Sequence, residues 1–172
     1  MKQLIIRADD LGFTKAVNQG ILETVKTGIV KSVGLMTNMN DSFHGVKLIE
    51  NYDVCIGLHV NISTGFPLTN PKLIPSLVTE SGEFKSSALY RNVTEDFVNY
   101  GEVVKEVEAQ YLAFVALVGR KPDYFEGHAV ASAHFFKALQ AVAAKHECDY
   151  LPLGMNATTT FKHQPLAVFR IV

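Results

Sequence analysis

Short apolar runs alternate along this chain with stretches of helical periodicity, and this alternation constrains the fold more than any other feature. The apolar runs cover residues 3–8, 32–36, 53–60 and 123–126, with a fifth expected to begin at residues 150–151. The helical stretches cover residues 14–28, 42–51, 135–146 and the longest, which begins at Thr94 or Glu95 and ends near Leu117. Strands that alternate with helices form βαβ units, so we predict an α/β fold with a parallel sheet.

Length and charge limit what else the chain can be. With 172 residues, 48% of them hydrophobic, it fits a single domain spanning residues 1–172 with a real core. The 16 basic and 17 acidic residues offer no basic face, so we expect no nucleic-acid partner. No apolar run approaches the roughly 20 residues of a membrane span. The N-terminus does not resemble a signal peptide, and we expect a cytoplasmic protein that does not bind membranes.

Polar side chains follow the predicted strands at the point where each strand ends. Asp9 and Asp10 follow the first strand, His59 lies near the end of the third, and His128 follows the fourth. Ligands of parallel α/β folds bind beyond the carboxyl ends of the strands. We therefore expect these four side chains to lie at one edge of the sheet.

These residue types are suited to binding a metal. Asp10 and two imidazoles would form a His₂-carboxylate site with open coordination positions, and Asp9 would be the general base that deprotonates an attacking water. Each feature also has a simpler interpretation. An Asp-Asp pair after a strand is a common turn and helix-entry sequence, and a single histidine at a strand end is often only hydrogen-bonded.

Residues 61–92 form a long segment without sustained periodicity. It contains Pro67, Pro71 and Pro75 as well as Gly65 and Gly82. An irregular segment of this length inside a compact domain is usually functional. We predict a lid over the site that is more mobile than the strands, with Phe66 as the aromatic residue that contacts substrate.

Several short motifs resemble those of the YdjC-like carbohydrate deacetylases. The chain opens with Ala8-Asp9-Asp10-Leu11-Gly12 and continues with Gly57-Leu58-His59-Val60, both of which are similar to family signatures. The segment from Gly65 to Phe84 resembles the family's lid. Glu106, Ala109 and Gln110 resemble a helix with the pattern Glu-x-x-Ala-Gln, and residues 122–128 occupy the place of a histidine-rich run.

This resemblance implies a fold and an activity. Members of the family fold as TIM-barrel-like (β/α) domains and remove N-acetyl groups from amino sugars such as chitooligosaccharides, with a divalent metal such as Mg²⁺ or Zn²⁺. By resemblance, Asp10, His59 and His128 are the metal ligands, Asp9 is the catalytic base, and an N-acetylated sugar is the substrate.

The chain departs from the family pattern in three places. The histidine-rich run keeps only His128, and Glu126 replaces the usual aspartate. The family's late His-Pro-Gly segment has no counterpart, because His163-Gln164-Pro165 lacks the glycine and comes too early. The family domain is also longer than this chain, so we expect a barrel truncated before its last units. The alternative is a partner chain, as in a homo-oligomer, that completes the barrel.

Two rival functions use the same residues. The first is a metal-dependent phosphoesterase, although Arg7 lies inside a strand and no glycine-rich loop supports a phosphate. The second is a non-catalytic binding domain that keeps the fold of a truncated barrel and has lost turnover.

Overall fold

The computed structural model describes the backbone of residues 4–93, 95–151, 158–161 and 164–169, and the side chains of residues 6–93 and 95–151. The strands of this part of the chain are β1 (Leu4–Leu11), β2 (Ser32–Leu35), β3 (Cys55–Val60), β4 (Tyr124–Gly127), β5 (Asp149–Tyr150), β6 (Thr158–Phe161) and β7 (Gln164–Phe169). They form one sheet in the order β5-β4-β3-β2-β1-β7-β6. The pairs from β5 to β1 are all parallel, β7 is parallel to β1, and β6 and β7 form an antiparallel pair.

The helices fill the connections between the parallel strands. They are α1 (Lys15–Lys26), α2 (Ser42–Ile49), α3 (Ser87–Asn92), α4 (Tyr100–Val118) and α5 (Ala133–Lys145). The Thr14 hydroxyl accepts a hydrogen bond from the Val17 amide and caps α1, and Gly119 ends α4 with a left-handed φ of 79°. Strands separated by helices in this sequential order confirm the predicted parallel α/β fold.

Side chains on one face of the sheet meet across strands that are not neighbours. The Tyr124 hydroxyl on β4 lies 2.8 Å from the Ser32 hydroxyl on β2. Gly57 on the intervening β3 leaves room for this contact, because a Cβ there would lie 2.1 Å from the Tyr124 ring. Farther along, the Arg7 guanidinium on β1 pairs with the Glu126 carboxylate on β4. Contacts across two and three strand spacings show that the sheet curves towards this face, as in a β/α barrel.

The apolar core covers the sheet. All described residues of β2 and β4 are buried, as are those of β3 from Ile56 onwards. Burial along consecutive residues means that both faces of these strands are covered, as is usual for parallel strands. None of the helices within the described ranges is long and apolar enough to cross a membrane.

Two element boundaries differ clearly from those predicted. β1 runs on through Asp9 and Asp10 to Leu11, so this acidic pair lies in an irregular strand end and not in a turn. The long helix begins at Tyr100, five residues after the predicted start at Glu95, because Asn99 provides the cap by accepting a hydrogen bond from the Glu102 amide. The alternative start, Thr94, lies outside the described residues, as does His163.

Residues 61–92 are more ordered than their lack of periodicity indicated. They include a 3-10 turn at Pro71–Leu73, helix α3 and an isolated bridge between Val78 and Phe84. Ile74 and Leu77 are fully buried. The segment is a folded excursion against α4, and its predicted greater mobility stays a prediction.

Candidate metal centre

Asp10, His59 and His128 come together at the carboxyl edge of the sheet. Their ligand atoms form a nearly equilateral triangle: Asp10 Oδ1 lies 3.1 Å from His59 Nε2 and 3.0 Å from His128 Nδ1, and the two nitrogens are 3.0 Å apart. His59 is fully buried, whereas 37% of the Asp10 side chain is exposed. The three side chains thus converge on one point that solvent can reach.

A distorted end of β1 positions the Asp10 carboxylate. The pairing register with β2 shifts between Ala8 and Leu11, and Asp10 has a left-handed φ of 69°. This conformation is strained for a residue other than glycine and turns the side chain out of the regular strand alternation. The buried Asn18 side chain accepts a hydrogen bond of 2.6 Å from the Gly12 amide and fixes the chain immediately after the ligand.

The two histidines come from neighbouring strands. His59 is the penultimate residue of β3, and the amide of His128, directly after β4, donates to the Val60 carbonyl at 2.8 Å. Ala129 then adopts a left-handed φ of 51°, so the chain turns sharply away after the second histidine. Strained residues therefore occur at or beside two of the three candidate ligands, as is common at functional sites.

The spacing of the three ligand atoms fits a divalent metal. Ligands about 2.1 Å from a metal lie about 3.0 Å apart at right angles and about 3.4 Å apart at the tetrahedral angle. The observed separations of 3.0–3.1 Å match the right-angled arrangement. Two imidazoles and one carboxylate on one face of a metal leave its other positions open for water and substrate.

The pKa values of Asp10 and His59 also indicate a site that favours a positive charge. Burial raises the pKa of Asp10, but hydrogen bonds from His128 and His59 outweigh it and hold this pKa well below its usual range. Burial lowers the pKa of His59, but the charge of Glu126 and the hydrogen bonds of His59 to Asp10 and Glu126 outweigh it and raise this pKa to about 9. The site thus attracts a cation, which a proton supplies when no metal is bound.

Glu126 orients His59 from the opposite side of the ring. Its Oε1 lies 3.1 Å from His59 Nδ1, and its side chain is 1% exposed. A proton on Nδ1 that is donated to Glu126 leaves the Nε2 lone pair facing the ligand triangle. This carboxylate–histidine arrangement is the usual support for a metal-binding imidazole.

Arg7 connects Glu126 with Asp9. Its Nε lies 2.7 Å from Asp9 Oδ1, and its Nη2 pairs with both Asp9 Oδ2, at 3.1 Å, and Glu126 Oε2. Burial alone would lower the pKa of Arg7, but the charges of Glu126 and Asp9 raise it. Gly34 leaves space beneath this cluster, because a Cβ there would lie 2.9 Å from Glu126 Oε1 and 3.1 Å from Asp9 Oδ1.

The chain matches a known protein family over almost its whole length. The family described as YdjC-like protein matches residues 3–167. The chain belongs to the YdjC-like family.

Relatives of this YdjC-like chain carry deacetylase names. It is 34% identical over 162 residues to "Carbohydrate deacetylase 2" of Listeria innocua, an alignment that covers 94% of this chain and 63% of the relative. It is 35% identical over 128 residues to "Chitooligosaccharide deacetylase" of Serratia marcescens, which covers 74% of this chain and 49% of the relative. The chain therefore spans about half to two thirds of the length of these curated relatives.

Solved structures support the same fold. A crystal structure from Enterococcus faecalis V583, named provisionally for cellobiose-phosphate cleavage, has a TM-score of 0.78 and 29% identity over 87% of this chain and 58% of its own. A Bacillus anthracis CE4 family pseudoenzyme has a TM-score of 0.53 at 11% identity, over 87% of this chain and 42% of its own. That second likeness concerns the fold alone.

The YdjC-like sequence motifs revealed some of these residues and missed others. The three predicted ligands meet, and Asp9 lies beside Arg7 on the Glu126 side of His59. Phe66 is 57% exposed in the loop that follows β3. The link from Arg7 to Glu126 was not predicted, although a buried-strand position occupied by arginine was a signal that an acidic partner lay inside the fold.

Proposed function

We propose that this chain is a metal-dependent hydrolase domain that removes N-acetyl groups from amino sugars or chitooligosaccharides. The observation that carries the proposal is the triangle of Asp10, His59 and His128 ligand atoms at 3.0–3.1 Å. The deacetylase names of relatives at about 35% identity support the substrate class. Two imidazoles in the ligand set favour Zn²⁺ or another transition metal over Mg²⁺, which prefers oxygen ligands.

Each residue has a defined part in this mechanism. A divalent metal held by the triad would polarise the amide carbonyl and lower the pKa of a nearby water. Asp9 would accept the proton of the attacking water, with its carboxylate oriented by Arg7. Glu126 would keep the Nε2 lone pair of His59 directed at the ligand triangle. Phe66 would stack against a sugar ring.

A second candidate function is hydrolysis of a phosphorylated sugar, which the provisional name of the Enterococcus faecalis structure suggests. A phosphate would require a free cationic side chain or a helix N-terminus at the site. Arg7 is the arginine beside the triad, and both Asp9 and Glu126 already engage its guanidinium. This geometry favours the deacetylase.

The experiment combines metal analysis with product detection. Purified protein and a His59→Ala variant are analysed for bound metals, and both are assayed for acetate release from diacetylchitobiose and for phosphate release from a phosphorylated disaccharide. We expect about one divalent metal per wild-type chain, none in the variant, and acetate release only by the wild type. Equal metal content in both proteins would overturn the metal site. Bound metal without acetate release would indicate a binding domain or, with phosphate release, the phosphoesterase.

A further inference from the structure

Glu106 is a buried carboxylate that the proposed chemistry does not use. It lies on α4 and is fully buried. Its two oxygens accept hydrogen bonds from the Leu68 amide at 3.1 Å, the Thr69 amide at 2.9 Å and Gln110 Nε2 at 2.8 Å. A buried carboxylate without such donors is costly, so the loop amides stabilise Glu106 and are held by it in turn.

Gln110, one turn farther along α4, extends the same network to β3. Its Oε1 accepts from the Asn61 amide at 3.1 Å, and its Nε2 donates to the Asn61 carbonyl at 2.7 Å. Asn61 follows β3 directly, two residues after the candidate ligand His59. The helix therefore binds both the strand end that carries the metal ligand and the loop that leaves it.

The loop of residues 64–69 is fixed on its other side as well. Asn38, which follows β2, donates through Nδ2 to the Thr64 carbonyl at 3.3 Å and the Phe66 carbonyl at 3.0 Å. Asn61 Nδ2 donates to the Thr64 carbonyl at 2.7 Å. In the middle of this restrained loop the Phe66 side chain remains 57% exposed. A large apolar ring on a backbone held by hydrogen bonds, at the edge of the sheet that carries the metal centre, is preorganised for a ligand.

We propose that Glu106 is a positioning residue for substrate: it holds the loop of residues 64–69 so that Phe66 is preset to stack on the sugar. The inference rests on the proposed function, because it assigns Phe66 a sugar ligand. A purely architectural Glu106 would matter for stability alone. A positioning Glu106 affects substrate binding, and it does so through Phe66.

The main variant is Glu106→Gln, which keeps the size of the side chain but places an amide NH₂ among donors. We expect faster hydrogen exchange at the Leu68 and Thr69 amides, a KM for diacetylchitobiose raised about tenfold, and unchanged kcat and metal content. The matched control is Glu102→Gln. Glu102 lies on the same helix and accepts a hydrogen bond from the Ser76 amide at 2.7 Å, so it anchors a different part of the excursion. Its KM should stay at the wild-type value.

A double-mutant cycle with Phe66→Ala tests the route of the effect. If Glu106 acts through Phe66, then Glu106→Gln adds almost nothing to KM once Phe66 is alanine. An equal rise in KM in both backgrounds, or an unchanged KM despite faster exchange at Leu68, would overturn the proposal. If Glu106→Gln does not fold, Asn38→Ala releases the same loop from its other side, and its KM effect must likewise vanish in the Phe66→Ala background.

Failure of the proposed function is distinguishable from failure of this inference. If the wild type releases no acetate, the dissociation constant of diacetylchitobiose replaces KM in the same set of variants. A dissociation constant that rises about tenfold in Glu106→Gln, and does so through Phe66, supports the positioning role without any turnover. Absence of diacetylchitobiose binding to the wild type would overturn both.

Discussion

The two sides of the His59 ring differ in how their charges are satisfied. On the Nδ1 side, Arg7 lies between Asp9 and Glu126, and the side chains of Arg7 and Glu126 are only 9% and 1% exposed. On the Nε2 side, Asp10 and His128 meet the ring with no lysine or arginine in the triangle, and Asp10 is 37% exposed. The inner cluster of Arg7, Asp9 and Glu126 contains its own cation. The outer triad of Asp10, His59 and His128 has to bind one. Such a difference separates a cluster that carries its own countercharge from a site that binds a cation.

The largest effect is expected from a substitution in the outer triad. Asp10→Asn removes the only carboxylate of the triad, and we expect loss of bound metal and a fall in turnover of at least about a thousandfold. Metal analysis and acetate release measure the two effects. A variant that keeps stoichiometric metal would show that the two histidines suffice and that the triangle is not the binding unit.

Asp9→Asn is expected to have the next largest effect, and it separates chemistry from support. If Asp9 is the base, turnover falls by about 10²–10⁴-fold while metal content is unchanged. Normal rates with normal metal would remove Asp9 from the mechanism. Loss of metal would instead mean that Asp9 acts through Arg7 and Glu126 on the ligand His59.

Glu126→Gln tests how much the inner cluster contributes to metal binding by the outer triad. A glutamine oxygen can still accept from His59 Nδ1, but the charge that polarises the ring is lost. We expect the dissociation constant of the metal, measured by competition with a chelator, to rise about 10–100-fold. An unchanged constant would show that the two sides of the ring are independent.

The smallest effect, measured as stability, is expected from filling the space beneath the cluster. A Cβ at Gly34 would lie 2.9 Å from Glu126 Oε1 and 3.2 Å from His59 Cβ. We expect Gly34→Ala to lower the free energy of unfolding of the metal-free protein by about 1–3 kcal/mol. The control is Gly20→Ala in α1, where a Cβ would meet nothing within 4 Å and should stabilise the helix by roughly 0.5–1 kcal/mol. Similar urea midpoints for both variants would contradict the crowding beneath the cluster.

The outer triad was predictable from the sequence, and the contact of Arg7 with Glu126 in the inner cluster was not. Asp10 and His59 lie near the ends of strands and His128 follows one, and parallel topology brings the ends of such strands to one edge of the sheet. Glu126, which pairs with Arg7, lies on β4, three positions away in the sheet order. The two side chains meet because the sheet curves, and no local sequence pattern predicts such a contact.

The same limit applies to the long excursion. Its first residues, 61–69, have no period because they are held by side chains of α4 and not by secondary structure of their own. The motif of Glu106 and Gln110 was visible in the sequence, but the acceptors and donors that it serves are main-chain groups of Asn61, Leu68 and Thr69. Because the loop takes part through main-chain groups, its own sequence does not indicate these contacts.

The dependence of the excursion on α4 also has a consequence for the order of folding. The Leu68 amide reaches Glu106 across 38 residues and the Asn61 amide reaches Gln110 across 49, so both contacts require closure of a long loop. Until α4 has formed and docked, the Asn61, Leu68 and Thr69 amides lack these acceptors and stay open to solvent. The loop residues around Phe66 should therefore acquire protection from hydrogen exchange late in refolding. They should do so in the same kinetic phase as α4 and after the local contacts within α1.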